Sequence, residues 1–229
     1  MDPTNLSVID YFAPDDNVFL ATNDADLGSG GNVLVPGSAT YPHELLGGGK
    51  DGNIFVINRD SMGGYNNQSN NVLQTVHIGT SQLDNIFCTP VYWNGLVYFH
   101  SNGAVLRAFS WKASGTAGQQ LSSNAVSTGA TVFGQHGATP SLSANGNTNG
   151  IIWEIDNSAY VNTNPSTSGP AVLHAYDATN LADELYNSAQ AGSRDQAGLA
   201  LKFTSPTIAN GKVFVPTGSE LDIYGLLGP

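Results

Sequence analysis

The chain has 229 residues, of which only 11% are charged, with 18 acidic against 7 basic side chains and a formal net charge of −11. The few basic residues are scattered and form no stripe, which argues against nucleic acid and against an anionic membrane surface as partners. One cysteine, Cys88, excludes an intrachain disulfide and a cysteine-built metal site, and no apolar run reaches the roughly 18 residues that a bilayer-spanning helix needs.

In chain order, Leu6-Ser7-Val8-Ile9-Asp10-Tyr11-Phe12 reads as a strand without an adjacent partner. A first unit, 27–80, places strands at 31–35, 44–48, 54–58 and 72–76, with Asp51-Gly52 as the tight turn between the second and third. A second unit, 86–130, opens with Thr89-Pro90-Val91-Tyr92-Trp93-Asn94-Gly95, runs into Leu96-Val97-Tyr98-Phe99 and turns at Asn102-Gly103. A third, 137–190, repeats the opening as Thr139-Pro140-Ser141-Leu142-Ser143-Ala144-Asn145-Gly146, followed by the strand 151–155 and later by 172–176. A fourth, 202–229, repeats it as Ser205-Pro206-Thr207-Ile208-Ala209-Asn210-Gly211 before Lys212-Val213-Phe214-Val215, and stops after its third strand at 221–226.

A phrase recurring at this spacing identifies repeated supersecondary units, and units of four short strands with Asn-Gly and Asp-Gly turns define propeller blades. The expectation is a single all-β domain over 1–229, a β-propeller of four four-stranded blades with almost no helix. Four blades make half of a seven- or eight-bladed ring. The last unit lacks its outer strand while 6–12 is a spare one, so the arrangement points to a homodimer. In it, two half-propellers form an eight-bladed ring, and 6–12 of each copy completes the last blade of the other.

The third unit contains Leu173-His174-Ala175-Tyr176-Asp177-Ala178-Thr179-Asn180 and then Tyr186. This resembles the blade motif of pyrroloquinoline-quinone-type propellers, Ala-x-Asp-x-x-Thr-Gly ending in Trp, with Asn180 in place of the Gly and Tyr186 near the Trp position. Val56-Ile57-Asn58-Arg59-Asp60 and Arg107-Ala108-Phe109-Ser110-Trp111 match more loosely. Gly48-Gly49-Lys50-Asp51-Gly52 and the final stretch from Val215 to Leu226 look like the carboxy-terminal half of secreted propellers of soil bacteria such as acidobacteria. The resemblance implies that the Ala packs under a neighbouring blade's Trp and that Asp177 and Thr179 tie the turn between third and fourth strands. It also implies an extracellular or periplasmic parent protein, although residues 1–5 have neither the charged nor the apolar region of a signal peptide. Quinone enzymes of this superfamily use an adjacent cysteine pair that one cysteine cannot provide, so a quinone cofactor is not expected.

In a propeller, the loops leading into the innermost strands and the turns between second and third strands ring the mouth of the axis. Asp24 and Asp26, Asp84 and Asn85, Gln135 and His136, and Lys202 and Thr204 occupy those positions in the four units. Asp26, Asp84 and His136 form a candidate site for Zn²⁺, Mn²⁺ or, with further oxygen ligands, Ca²⁺, with His136 and Asp84 as the catalytic pair. His100 is a further candidate ligand or acid/base. The opposing reading is a set of solvated loop residues that cap their own backbone. Two functions follow: a module that binds a small molecule or acts as a scaffold through its axial mouth, or a metal-dependent hydrolase of esters, lactones or phosphotriesters at the same place. No Gly-x-Ser-x-Gly elbow and no phosphate loop is present. Cys88, beside Phe87, reads as a buried inert thiol, and Glu154 as a buried, paired acid or an axial one.

Overall fold

The computed structural model describes residues 2–79 and 85–226. Strand β1 (Phe12–Ala13) and a short helix α1 (Asn17–Thr22) precede the first blade, which contains β2 (Asn32–Pro36), β3 (His43–Gly48), β4 (Asn53–Asn58), the short β5 (Gly64–Tyr65) in the following connection, and β6 (Gln74–His77). The second blade is β7 (Val91–Trp93), β8 (Leu96–Phe99), β9 (Arg107–Ser110) and β10 (Ser127–Thr128). The third is β11 (Ser141–Asn145), β12 (Thr148–Asp156), β13 (Val172–Asp177) and β14 (Asn180–Asn187), and the fourth is β15 (Thr207–Ala209), β16 (Lys212–Pro216) and β17 (Leu221–Tyr224). The first three sheets are four-stranded antiparallel meanders, and the fourth has three strands.

The repeated Asn-Gly pairs explain the innermost hairpins. Asn94 and Gly95, and Asn210 and Gly211, all have positive φ. Both central residues of a type I′ turn require this, and such a turn matches the right-handed twist of the strands it joins. The run Asp177-Ala178-Thr179 also behaves as the family resemblance implies. Thr179 donates its N–H and its hydroxyl to Asp177 Oδ1, at 2.7 and 2.6 Å, across the β13–β14 turn.

Consecutive blades pack face to face around three apolar clusters. Leu46, Ile54 and Val56 of the first blade meet Val97, Phe99, Phe109 and Trp111 of the second. Tyr98, Leu106 and Ala108 on the other face of the second meet Ile152, Tyr176 and Leu181 of the third. Ile155 and Leu173 meet Val213 and Val215 of the fourth. The unbroken apolar run of β8 follows from this sandwich: Val97 and Phe99 point one way, Tyr98 the other, and all three are buried. Trp93 lies against Gly150 and Ala178 of the next blade, and a Cβ on Gly150 would stand 2.7 Å from its Cη2. The alanine beneath this tryptophan is thus Ala178, three residues after Ala175.

No cluster joins the fourth blade to the first among the described residues. Leu34 of β2 and Leu221 and Ile223 of β17 are exposed. Within one chain, the strand pairing of the N-terminal segment among the described residues is confined to Phe12–Ala13, in parallel with Gly64–Tyr65 of the first blade. Phe12 covers Phe55 there at 5.1 Å between ring centres. The six-residue helix α1, which buries Leu20, is an addition to the all-β expectation.

Glu44 is fully buried on β3, opposite Val35 and Asn58. Neither carboxylate oxygen has a hydrogen-bond partner, and burial pushes its pKa up from 4.5 to about 7. The folded state therefore holds a proton that the unfolded chain releases, and stability falls as pH rises from about 4.5 to about 7. The full effect is roughly 3 kcal/mol. Urea unfolding across this interval should show that slope in the wild type and a flatter profile in Glu44→Gln. Equal slopes in both would show that Glu44 does not hold the proton.

Candidate functional site

All four blades send residues to one mouth of about 470 Å³, lined by Asn23, Asp24, Lys50, Asn85, Phe87, Asn102, Gln135, His136, Lys202 and Phe203. Asn23 and Asp24 lead toward the first blade and Lys50 sits in its β3–β4 turn. Asn85 and Phe87 precede the second blade, and Asn102 is in its β8–β9 turn. Gln135 and His136 precede the third blade, and Lys202 and Phe203 the fourth.

His136, Phe87 and Phe203 form a triangle of touching rings: Phe87 meets the imidazole edge-on at 5.1 Å, Phe203 lies 4.7 Å from it, and the two phenyl rings are 5.6 Å apart. Its Nδ1 is buried without a hydrogen-bond partner, as is Asn102 Oδ1. Burial, and then the charge of Lys202, hold the imidazole below its ordinary pKa. It is therefore neutral at pH 7, and its unprotonated nitrogen accepts a hydrogen bond. Phe203 has φ 65° and remains 63% exposed. A bulky residue in the left-handed region is a backbone outlier, and such outliers concentrate at ligand sites. Asp24 and Asn85 share the positive φ. The Lys202 ammonium donates to Asn162 Oδ1 at 3.1 Å and lies 5.6 Å from the Tyr160 ring centre and 5.7 Å from that of Phe203.

A second, buried layer holds the loop that carries His136. His100 and Glu154 form a fully buried pair, Nδ1 to Oε2 at 2.9 Å, and His100 Nε2 donates to the Ala104 carbonyl at 3.0 Å. Burial opposes the imidazolium, but the charge and hydrogen bond of Glu154, with the Ala104 carbonyl and Asp156, raise the pKa of His100 above its ordinary value. Phe133 is wedged between His100 at 4.5 Å and His174 at 4.9 Å, and its N–H donates to the Ala104 carbonyl at 2.9 Å. His174 is itself held by Glu184 at 2.5 Å. Three residues after the wedge, the chain reaches His136, and Gly137 follows so close to the His100 and Ser101 carbonyls that a Cβ there would stand under 3.0 Å from both.

Of the residues singled out from sequence, His136 lines the mouth. Asp26 pairs with Lys50 at 2.7 Å and faces a separate hollow beside Pro14, Leu20 and Leu27. Lys50 also bonds Asp24 at 2.9 Å, so one ammonium ties both carboxylates. Asp84 lies outside the described residues. Both ring nitrogens of His100 are engaged beneath the mouth. Among the described residues no three metal-ligating side chains gather at one point. Cys88 is buried, and burial pushes its thiol up to about 12. Phe203 escaped the sequence reading, although it falls between Lys202 and Thr204, which that reading assigned to the mouth; Asn102 was read as a turn residue of the mouth without a role of its own.

No known protein-family profile and no curated protein sequence matches the chain. Among solved structures, the computationally designed Ika8 protein aligns over 84% of this chain and 45% of its own at 11% identity, with a TM-score of 0.50. The computationally designed Ika4 protein aligns over 80% of this chain and 85% of its own at 10% identity and a TM-score of 0.49. BamB from Moraxella catarrhalis aligns over 86% and 49% at 11% identity and a TM-score of 0.46. The chain thus spans about half the length of Ika8 and of BamB. At such identities the likeness concerns fold alone. The fold is all-β, a set of four-stranded antiparallel blades and one three-stranded blade arranged as a partial β-propeller.

Two measurements probe the site. Following the His136 ring by NMR should give a titration midpoint below that of an exposed histidine, and Lys202→Met should move it upward; an unchanged midpoint would remove Lys202 as a cause. Separately, Glu154→Ala leaves the His100 imidazole buried without its counter-charge and should cost about 3–5 kcal/mol of stability. Denaturant unfolding checks this, and a loss below about 1 kcal/mol would show that the pair does not hold the second and third blades together.

Proposed function

We propose that this chain is a ligand-binding module of a PQQ-like propeller, that its mouth takes a small, polar, hydroxyl-rich molecule with one apolar face, and that a second copy completes the ring to eight blades. We place the parent protein outside the cytoplasm, extracellular or periplasmic. The observation that carries the reading is the convergence of all four blades on one mouth lined by the polar side chains of Asn85, Asn102, Gln135 and His136 beside the exposed ring of Phe203. The side-chain amides of Asn85 and Gln135 supply both donors and acceptors, and the exposed ring of Phe203 offers an apolar platform. A saccharide combines these features: hydroxyls around its rim and a C–H face that packs on an aromatic ring.

A second reading, a hydrolase with a divalent metal held by His136 with Asp84 and Asp26, is favoured by the place of the His136 imidazole in the lining of the mouth. It requires Asp26 to release Lys50. Titration with Zn²⁺, Mn²⁺ and Ca²⁺, followed at the His136 ring and by ester turnover, separates the two readings.

A panel of neutral mono- and disaccharides should shift the side-chain amide resonances of Asn85, Asn102 and Gln135 at saturating concentration. Phe203→Ala should weaken the best binder about threefold to tenfold, the scale of one aromatic contact. Amide resonances unmoved by the whole panel would overturn the saccharide reading.

A further inference from the structure

Two rings that meet at the mouth arrive on separate loops, His136 on the loop into the third blade and Phe203 on the turn into the fourth. Phe203 takes a left-handed φ of 65° there. A bulky residue keeps such a conformation only where its surroundings fix it from several sides. The segment that leaves β12 of the third blade supplies those contacts.

Asn157, only 4% exposed, reaches from this segment to the turn that carries Phe203. Its Oδ1 accepts the Leu201 N–H at 3.2 Å, and its Nδ2 donates to Thr204 Oγ1 at 3.1 Å. The Thr204 hydroxyl in turn donates to the Leu201 carbonyl at 2.9 Å. These three bonds tie both ends of the turn 201–204 to one amide, with Phe203 between them. The circuit needs an acceptor and a donor on the same side chain, which an amide has and a carboxylate lacks. Further along the segment, Asn162 and Tyr160 engage the Lys202 ammonium, Asn162 by a hydrogen bond of 3.1 Å and Tyr160 with its ring centre at 5.6 Å. The residues on either side of Asn157 hold the other loop. Ser158 Oγ accepts the Gly134 N–H at 2.6 Å, two positions before His136, and Asp156 Oδ1 accepts both the N–H of Ser158, at 2.8 Å, and its hydroxyl. One tripeptide, Asp156-Asn157-Ser158, therefore grips both loops whose rings touch at 4.7 Å.

We infer that Asn157 is a positioning residue of the mouth: its amide fixes the turn 201–204 and so keeps the Phe203 ring against His136 before any ligand arrives. The inference rests on the mouth being the binding site, as proposed above. Asn157 is not part of the lining and acts through Phe203. A platform already in place spares the ligand the cost of ordering it, which a freely swinging ring would impose.

The test compares the wild type with Asn157→Ala and with Thr204→Val, which removes the hydroxyl from the same circuit with little change of volume. In the free protein, nuclear Overhauser contacts are measured from the His136 ring to those of Phe87 and Phe203. The wild type should show both. Each variant should lose the contact to Phe203 and keep the contact to Phe87, while the amides of β8 and β12 stay protected from exchange and show the blades folded. The best binder of the neutral saccharide panel should then bind about threefold to tenfold more weakly, as for Phe203→Ala, and Asn157→Ala added to Phe203→Ala should weaken it no further. Variants that keep the His136–Phe203 contact, variants that lose both ring contacts together, or a double variant weaker than Phe203→Ala would each overturn the inference. Loss of the Phe203 contact alone, in a protein whose wild type binds no saccharide, would overturn the saccharide reading and leave Asn157 in its role.

Discussion

Each sheet in this protein has two faces that need cover, and the chain supplies cover by placing the next sheet against it. The interior blades satisfy the requirement on both sides, which is why β8 is apolar at every position and buried at every position but its first. A series of four sheets has three such interfaces and two ends. The bare ends are consequences of the same rule that builds the core, because the residues there, Leu34, Leu221 and Ile223, are those that would enter a further interface.

The same packing positions the mouth. Side-by-side sheets bring their innermost ends together, so loops far apart in sequence meet in one place without any local signal that they should. The mouth is then held from below. The His100–Glu154 pair spans the second and third blades, Phe133 wedges against it, and the loop carrying His136 follows directly. A buried, hydrogen-bonded acid–imidazole pair adds little net stability over an apolar alternative, but it is unforgiving of displacement and so fixes one arrangement of the two blades. Rigidity beneath and a strained, exposed Phe203 above divide the site into a floor and a contact surface.

What was legible in the sequence was local. The Asn-Gly turns, the alternation of apolar residues and the three recurrent openings of the blades each depend on neighbours within a few positions, and the strands follow them closely. The site was legible in outline, since the loops named in advance are the loops that meet. Its detail was not. Glu154 finds His100 across 54 residues, and Lys50 ties Asp24 and Asp26 across a loop, so no spacing rule announces either contact. Phe203 reads as an ordinary apolar residue until its backbone angle is known. The residue run before β1 reads as a strand by composition, but a strand needs an edge to pair with, and within one chain only its last residue and Ala13 find one.

The lone cysteine has a use unrelated to chemistry at the mouth. Cys88 sits in the apolar cluster between the first and second blades, its sulfur accepts the His100 N–H at 3.5 Å, and its carbonyl accepts the Gly31 N–H at 3.1 Å from the loop before β2. A thiol in that position is unreachable until the two blades part. The speed at which an added disulfide reagent modifies the protein is therefore a clock for that one separation, set by how often the interface opens and not by how reactive the sulfur is. With no second thiol in the chain to confuse the reading, the sequence contains a built-in gauge of its own internal cohesion.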